Sequence, residues 1–158
     1  MTAATQATEA LRKAGVAFAT YEYAYDKAAT RIGERAAEAL GLPAEQVFKT
    51  LMLEVDGQPR CVVIPVAANL SMKRAAAVFG GKSAKMMEPA KAERLTGYVV
   101  GGISPVGQKR RVPVALDDSA VARERIVING GRRGFMIELA AGDLRAVTGA
   151  EVARLTAD

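Results

Sequence analysis

Lys49 stands in the run Val47-Phe48-Lys49-Thr50-Leu51, where the alternation of a strand puts it on the same face as Leu51, Leu53 and Val55. A lysine among apolar neighbours has two outlets. It opens into a cavity, where its cation can orient or stabilise an anionic group, or it sits at the strand start and reaches water along its own methylenes. The residues leave both open. The second unusual feature is Gly101-Gly102-Ile103-Ser104-Pro105-Val106-Gly107-Gln108-Lys109-Arg110-Arg111. Glycines let a backbone approach a ligand and aim bare N–H groups at an anion or a carbonyl oxygen, and Pro105 biases Ser104 towards an extended conformation. A glycine-rich turn between strands has the same composition. The string fits neither GxxxxGK[ST] nor GxGxxG, which disfavours a nucleotide-phosphate cradle.

The residue types also exclude a great deal. The chain has 158 residues, one cysteine and no histidine. Ser-His-Asp triads, Cys-His pairs, HExxH zinc sites and every imidazole acid–base mechanism are therefore absent, as is any disulfide within the chain. Cys61 lies in an apolar strand and reads as core. The carboxylates do not cluster as metal ligands, and Asp117-Asp118 reads as a turn. Neither a cofactor nor a metal is expected.

Lys+Arg number 22 against 17 Asp+Glu, a net charge of +5, which suggests an anionic partner. The basic residues fall in short clusters: Lys73-Arg74, Lys109-Arg110-Arg111, Arg123 with Arg125, and Arg132-Arg133. Each is either a solvated face or a phosphate grip. The second and fourth adjoin glycine turns, where they could hold phosphates at the rim of a cleft. Aromatics are 5% and tryptophan is absent, so an extended base-stacking surface is not expected.

These residues need a scaffold to position them. With 50% hydrophobic and 25% charged residues, the composition is that of a globular chain. No linker, repeat or composition shift divides it, so one domain over 1–158 is expected. Nothing resembles a membrane span or a secretory signal, and a cytoplasmic setting follows. Helices are predicted over 3–14, from a cap at Thr30 to Gly41, in a short turn after Pro43, from a cap at Ser71 to Phe79, from Pro89 to Gly97, and from about Gly142. Strands are predicted over 16–25 and 112–116. Hairpins are predicted from 48–55 with 60–66 around Asp56-Gly57, and from 125–129 with 135–139 around Gly130-Gly131. Tyr21, Tyr23 and Tyr25 alternate on one strand face. Helices interspersed with hairpins point to an α/β (α+β) fold with a mixed sheet.

These strings together resemble the bacterial YbaK family, the free-standing relatives of an editing domain inserted in some prolyl-tRNA synthetases. The resemblance runs nearly end to end. It is carried by Tyr23 with Asp26, by Val47-Phe48-Lys49-Thr50-Leu51, and by Thr96-Gly97-Tyr98-Val99-Val100-Gly101-Gly102-Ile103-Ser104-Pro105-Val106-Gly107-Gln108-Lys109. Gly130-Gly131-Arg132-Arg133-Gly134 with Ile137-Glu138-Leu139 completes it.

The resemblance implies a barrel-like mixed sheet with helices around it, and deacylation of mischarged tRNA, above all Cys-tRNA(Pro). It implies a catalytic role for Lys49, orienting the terminal ribose or ester, and for Gly101. The backbone of Gly101, Gly102 and Ile103 would hold the aminoacyl group. Tyr23, Ile32, Thr50, Ser104, Pro105, Asn129 and Met136 would line the substrate site, and Lys109, Arg110, Arg111, Arg132 and Arg133 would hold the tRNA. Mischarged tRNA is the implied partner, with prolyl-tRNA synthetase beside it, and no DNA or membrane. Attack by the substrate's own thiol on the ester suits a chain without histidine. The chain departs from the family at four places. Asn129 stands for a serine, Phe135-Met136 for leucine and an acid, Ile32 for an aromatic, and Tyr25 for a histidine. A deacylase for alanine or serine esters, or a binding module of the same fold without activity, are the alternatives.

Overall fold

Asp56 and Gly57 both adopt positive φ, 50° and 82°, and join two strands whose residues pair without a break from Phe48↔Pro65 to Val55↔Gln58. That is the two-residue turn whose twist matches the strands it connects. The computed structural model describes residues 4–24 and 32–157, with Ile32 and Gly33 described by their backbone alone. The expected cap Thr30, and Tyr25 and Asp26, lie outside the described residues.

Along the chain come α1 (Gln6–Lys13), β1 (Ala19–Glu22), α2 (Ile32–Leu40), a 3-10 turn at Ala44–Gln46, β2 (Phe48–Val55), β3 (Gln58–Pro65) and α3 (Met72–Val78). Then follow β4 (Ala84–Met86), α4 (Pro89–Thr96), β5 (Val114–Asp117), a 3-10 turn at Asp118–Ala120, β6 (Arg125–Arg132), β7 (Phe135–Ala140), α5 (Ala141–Thr148) and β8 (Glu151–Ala153). The strands form a three-stranded sheet, β1-β7-β6, and a five-stranded mixed sheet, β4-β2-β3-β5-β8. A parallel bridge between Val47 and Val127 joins them. The fold is α+β as expected, and the barrel-like wrap of two sheets is not closed.

Local signals account for most of these elements. Thr5 caps α1 by accepting from the Thr8 N–H, Ser71 caps α3, Pro89 starts α4, and Gly97 ends α4 in the left-handed conformation. Several boundaries differ from the prediction. α1 starts at Gln6 because Thr5 takes the cap. β1 is limited to Ala19–Glu22, where it pairs with β7. β5 begins at Val114 because Pro113 has no N–H to give a ladder. The predicted strand from Arg60 begins at Gln58, directly after the turn.

The largest correction is the second hairpin. Gly130-Gly131 is not its turn. β6 runs on to Arg132, the register shifts between Asn129 and Arg132, and the chain reverses after Arg132, which pairs with Phe135. The glycines form a bulge, an irregularity that bends a strand and re-aims its side chains. A Cβ at Gly130 would stand 2.5 Å from the Phe135 ring.

The interior has three apolar clusters. The main one lies between the two sheets, from Phe48, Cys61 and Leu116 to Ile126 and Ile137, with α1 and α5 packed on it; one lies between the five-stranded sheet and α3, and a small one surrounds Val47, Val66, Val127 and Met136. Tyr21 and Tyr23 pack on the last, as the alternation suggested. Cys61 is fully buried and its thiol is pushed up to about 12 by burial, so it is a core residue and not a nucleophile. Asp117 is buried too, where its carboxylate accepts from the N–H groups of Ser119 and Leu155.

Candidate active site

β4 pairs only with Leu53–Val55 on one edge of β2, and the Val127 bridge touches that strand's approach at Val47. Among the described residues, no strand pairs with residues 48–51 on that edge. Phe48, Lys49 and Thr50 all line one cavity there, although alternate side chains of a strand face opposite ways. The cavity therefore lies against the strand edge rather than on one face of the sheet. Its volume is 140 Å³, small beside the roughly 300–1,000 Å³ of sites for drug-sized ligands. It suits a small acyl group.

Gly101, Ile103, Asn129 and Met136 close the cavity from the side of the three-stranded sheet, with Tyr23 also on its wall. Ala36 of α2 and Val66 after β3 complete the apolar lining. The structure thus gathers Lys49, Thr50, Gly101, Ile103, Tyr23, Asn129 and Met136, which the sequence spreads over more than a hundred positions. Phe48, Ala36 and Val66 were not anticipated. Phe48 adjoins Lys49 and was within reach of the alternation, whereas nothing in the residue types marks Ala36 or Val66.

Lys49 is half-buried, and burial pushes its ammonium below the ordinary lysine value while the Glu34 carboxylate opposes that shift. The Thr50 hydroxyl is buried without a hydrogen-bond partner. Such groups are uncommon in native interiors. Met136 is 4% exposed and Phe48 1%, so the floor is apolar. The arrangement presents one lysine cation and a glycine backbone to a small, mostly apolar space, with the buried Thr50 hydroxyl beside it. It can hold an ester carbonyl and stabilise charge that develops on its oxygen.

The Gly101 carbonyl accepts from Asn129 Nδ2 at 3.1 Å, and Asn129 Oδ1 accepts from the Gly131 N–H at 2.7 Å. Gly101 itself has φ +90°, a conformation that favours glycine. Gly102 is buried beneath the loop, and a Cβ there would stand 2.8 Å from the Arg132 Cα. Its glycine is required by contact with the β6–β7 turn.

Other expected residues lie elsewhere. Ser104 is 0% exposed and its Oγ accepts from the Val106 N–H at 3.2 Å, so its hydroxyl closes a local turn. Pro105 lines a separate cavity of 240 Å³ that extends to Ala10 of α1 and Thr148 of α5. The Ile32 side chain lies outside the described residues.

The basic residues divide into two kinds. Lys109, Arg110 and Arg111 are exposed, and the N–H groups of Lys109 and Arg110 bond to the Thr96 and Leu95 carbonyls at the end of α4. Arg132 is instead ion-paired with Glu22, its guanidinium 4.6 Å from the centre of the Phe135 ring. Arg133 donates from Nε to the Val100 carbonyl at 2.9 Å. Among the described residues there is no group of three or more His, Cys, Asp or Glu that could hold a metal, and no helix long and apolar enough to cross a membrane.

Comparison with known proteins places this geometry in a family. The aminoacyl-tRNA editing domain matches residues 26–147. An Enterococcus faecalis protein named "Putative Cys-tRNA(Pro)/Cys-tRNA(Cys) deacylase EbsC" is 32% identical over 153 residues, covering 96% of this chain and 93% of that protein. A proline–tRNA ligase of Shouchella clausii is 30% identical over 102 residues, which span 65% of this chain and 18% of the ligase. A solved structure described as "a putative trans-editing enzyme for prolyl tRNA synthetase" superposes with a TM-score of 0.85 at 25% identity, covering 99% of this chain and 100% of that one. With its fold and most of its chain matched, this protein belongs to the aminoacyl-tRNA editing domain family.

Proposed function

We propose that the protein is a free-standing deacylase that hydrolyses mischarged tRNA, with Cys-tRNA(Pro) as the principal substrate, working alongside prolyl-tRNA synthetase. The observation that carries this reading is the small cavity joining Lys49 and Thr50 to Gly101 and Met136. An aminoacyl ester is already activated, so the protein has to position it and stabilise an oxyanion. Lys49 orients the ester and the glycine loop meets its carbonyl oxygen. The substrate's thiolate attacks its own carbonyl carbon, and a carbon–sulfur bond forms. The ester C–O bond then breaks, the ribose oxygen leaves and takes up the proton lost by the thiol, and water later opens the thiolactone. The apolar Met136 wall fits a thiol, and it fits a methyl group too, which supports alanine esters as a second reading.

A panel of mischarged tRNAs tests both. Cys-tRNA should be cleared much faster than Ser-tRNA, which lacks the thiol. After correction for uncatalysed ester loss, the advantage should grow from about pH 6.5 to about pH 8.5, as the thiol nears its ordinary pKa, and should survive EDTA. Equal rates for the cysteine and serine esters would refute thiol attack. Clearance of Ala-tRNA alone would select the second reading, and no clearance of any ester would leave a binding module.

A further inference from the structure

We propose that the bulged end of the β6–β7 hairpin is a positioning device, in which Arg133 and Asn129 hold the peptides flanking Gly101 so that its N–H faces the reacting carbonyl. The inference rests on the deacylase reading and assigns to Arg133 a task other than phosphate binding. A trans peptide is planar, and its C=O and N–H point in opposite directions. The Val100 carbonyl is turned towards Arg133 Nε, at 2.9 Å. The Gly101 N–H, in the same plane, is thereby turned the other way, and no described residue accepts from it.

The next peptide is fixed as well. Asn129 Nδ2 holds the Gly101 carbonyl at 3.1 Å, and the Gly102 N–H at its other end donates to the Val99 carbonyl at 2.8 Å. Asn129 is itself oriented, because its Oδ1 accepts from the Gly131 N–H at 2.7 Å. Two successive peptides of the loop are thus set by one hairpin, and the backbones touch at Gly102, where a Cβ would meet Arg132 and Arg133 main-chain atoms at 2.8 to 2.9 Å.

The register shift between Asn129 and Arg132 is what brings the two side chains to neighbouring carbonyls of one loop. Arg133 does not line the cavity, so it acts on the substrate through the loop. An oxyanion donor is effective only when it is held in place before the charge develops. The bulge supplies that rigidity to a segment whose glycines would otherwise leave it loose.

Single-turnover deacylation of Cys-tRNA(Pro) by the full-length protein, with enzyme in excess and varied, separates positioning from phosphate binding. Arg133→Ala should lower the saturating rate roughly tenfold or more. The enzyme concentration at half-saturation and the slope of log affinity against log salt should stay as in wild type, and Arg133→Lys should restore part of the rate. If Arg133→Ala does not fold, Arg133→Lys carries the test, with a smaller fall in the same parameter. A weaker half-saturation and a shallower salt slope at an unchanged saturating rate would make Arg133 a phosphate contact and overturn the proposal. A wild-type protein inert towards every aminoacyl-tRNA would instead sink the deacylase reading itself.

Discussion

The two antiparallel hairpins differ in regularity, and the difference separates folding from function. β2–β3 pairs eight residues in unbroken register and turns in two residues, Asp56 and Gly57. β6–β7 slips register, bulges at Gly130-Gly131 and turns further on. The regular hairpin forms the middle of the five-stranded sheet and offers the site only its first residues, at an edge where no described strand pairs with them. The irregular one gives up ladder regularity at its tip, where Asn129 and Arg133 reach the glycine loop. Regularity builds the platform, and the irregular end shapes what stands on it.

Removing the chemistry from the regular hairpin without disturbing its ladder should give the largest effect. Lys49→Ala should lower deacylation about 10²–10³-fold, the scale for losing one stabilising group in a water-poor site. Because burial disfavours the Lys49 cation, the variant should melt no lower than wild type. Circular dichroism melts beside the deacylation assay check both halves. Near-wild-type turnover in the variant would take the site away from β2.

Glycine replacements sharpen the contrast in stability. Gly130→Ala drives a Cβ to 2.5 Å from the Phe135 ring, which is fully buried, and overpacking of this kind costs about 3 kcal/mol. Gly57→Ala meets nothing within 4 Å and suffers only its left-handed φ, about 1 kcal/mol. Urea midpoints of the two variants should therefore differ clearly, with Gly130→Ala the weaker. The reverse order would mean that the bulge relaxes freely and cannot hold the loop.

What the sequence made legible follows the same division. Asp56-Gly57 between apolar runs specifies a hairpin by itself, and Thr5, Ser71, Pro89 and Gly97 mark helix ends through local bonds. Gly130-Gly131 looks like a turn for the same reason and is not one, because the Phe135 ring, Tyr98 and Thr5 packed around it decide its role. β4 was not foreseen. Ala84-Lys85-Met86 has no strand pattern, and the Asp56 carboxylate anchors the approach to it by accepting from the Lys82 and Ser83 N–H groups. In the site, Lys49 and Gly101 stood out by residue type and by motif. Ser104 stood out equally but is folded inward by its own turn, and the walls at Ala36 and Val66 depend on tertiary contact alone.

The smallest effect concerns how the irregular hairpin's sheet is held at its solvent side. Tyr21 of β1 donates its hydroxyl to Glu138 Oε1 of β7 at 2.7 Å, and Arg125 of β6 donates to Oε2 at 2.8 Å, so one carboxylate straps all three strands. The Tyr21 hydroxyl, then Arg125, hold the Glu138 carboxyl below its ordinary value. A depressed carboxylate pKa adds stability that is fully present above the unfolded-state value and is lost as pH falls through the folded-state value. Tyr21→Phe removes the first of those causes, so the folded pKa should rise towards the ordinary range. At neutral pH the variant should be about 1 kcal/mol less stable, the net worth of one such bond. The deficit should shrink as pH falls through the lowered folded-state value, below which Glu138 is protonated in folded and unfolded chains alike. Urea unfolding of both proteins at neutral and acid pH checks this. A deficit equal at both pH values would show that the hydroxyl contributes by packing, and the strap would then play no part in holding the bulged hairpin against β1.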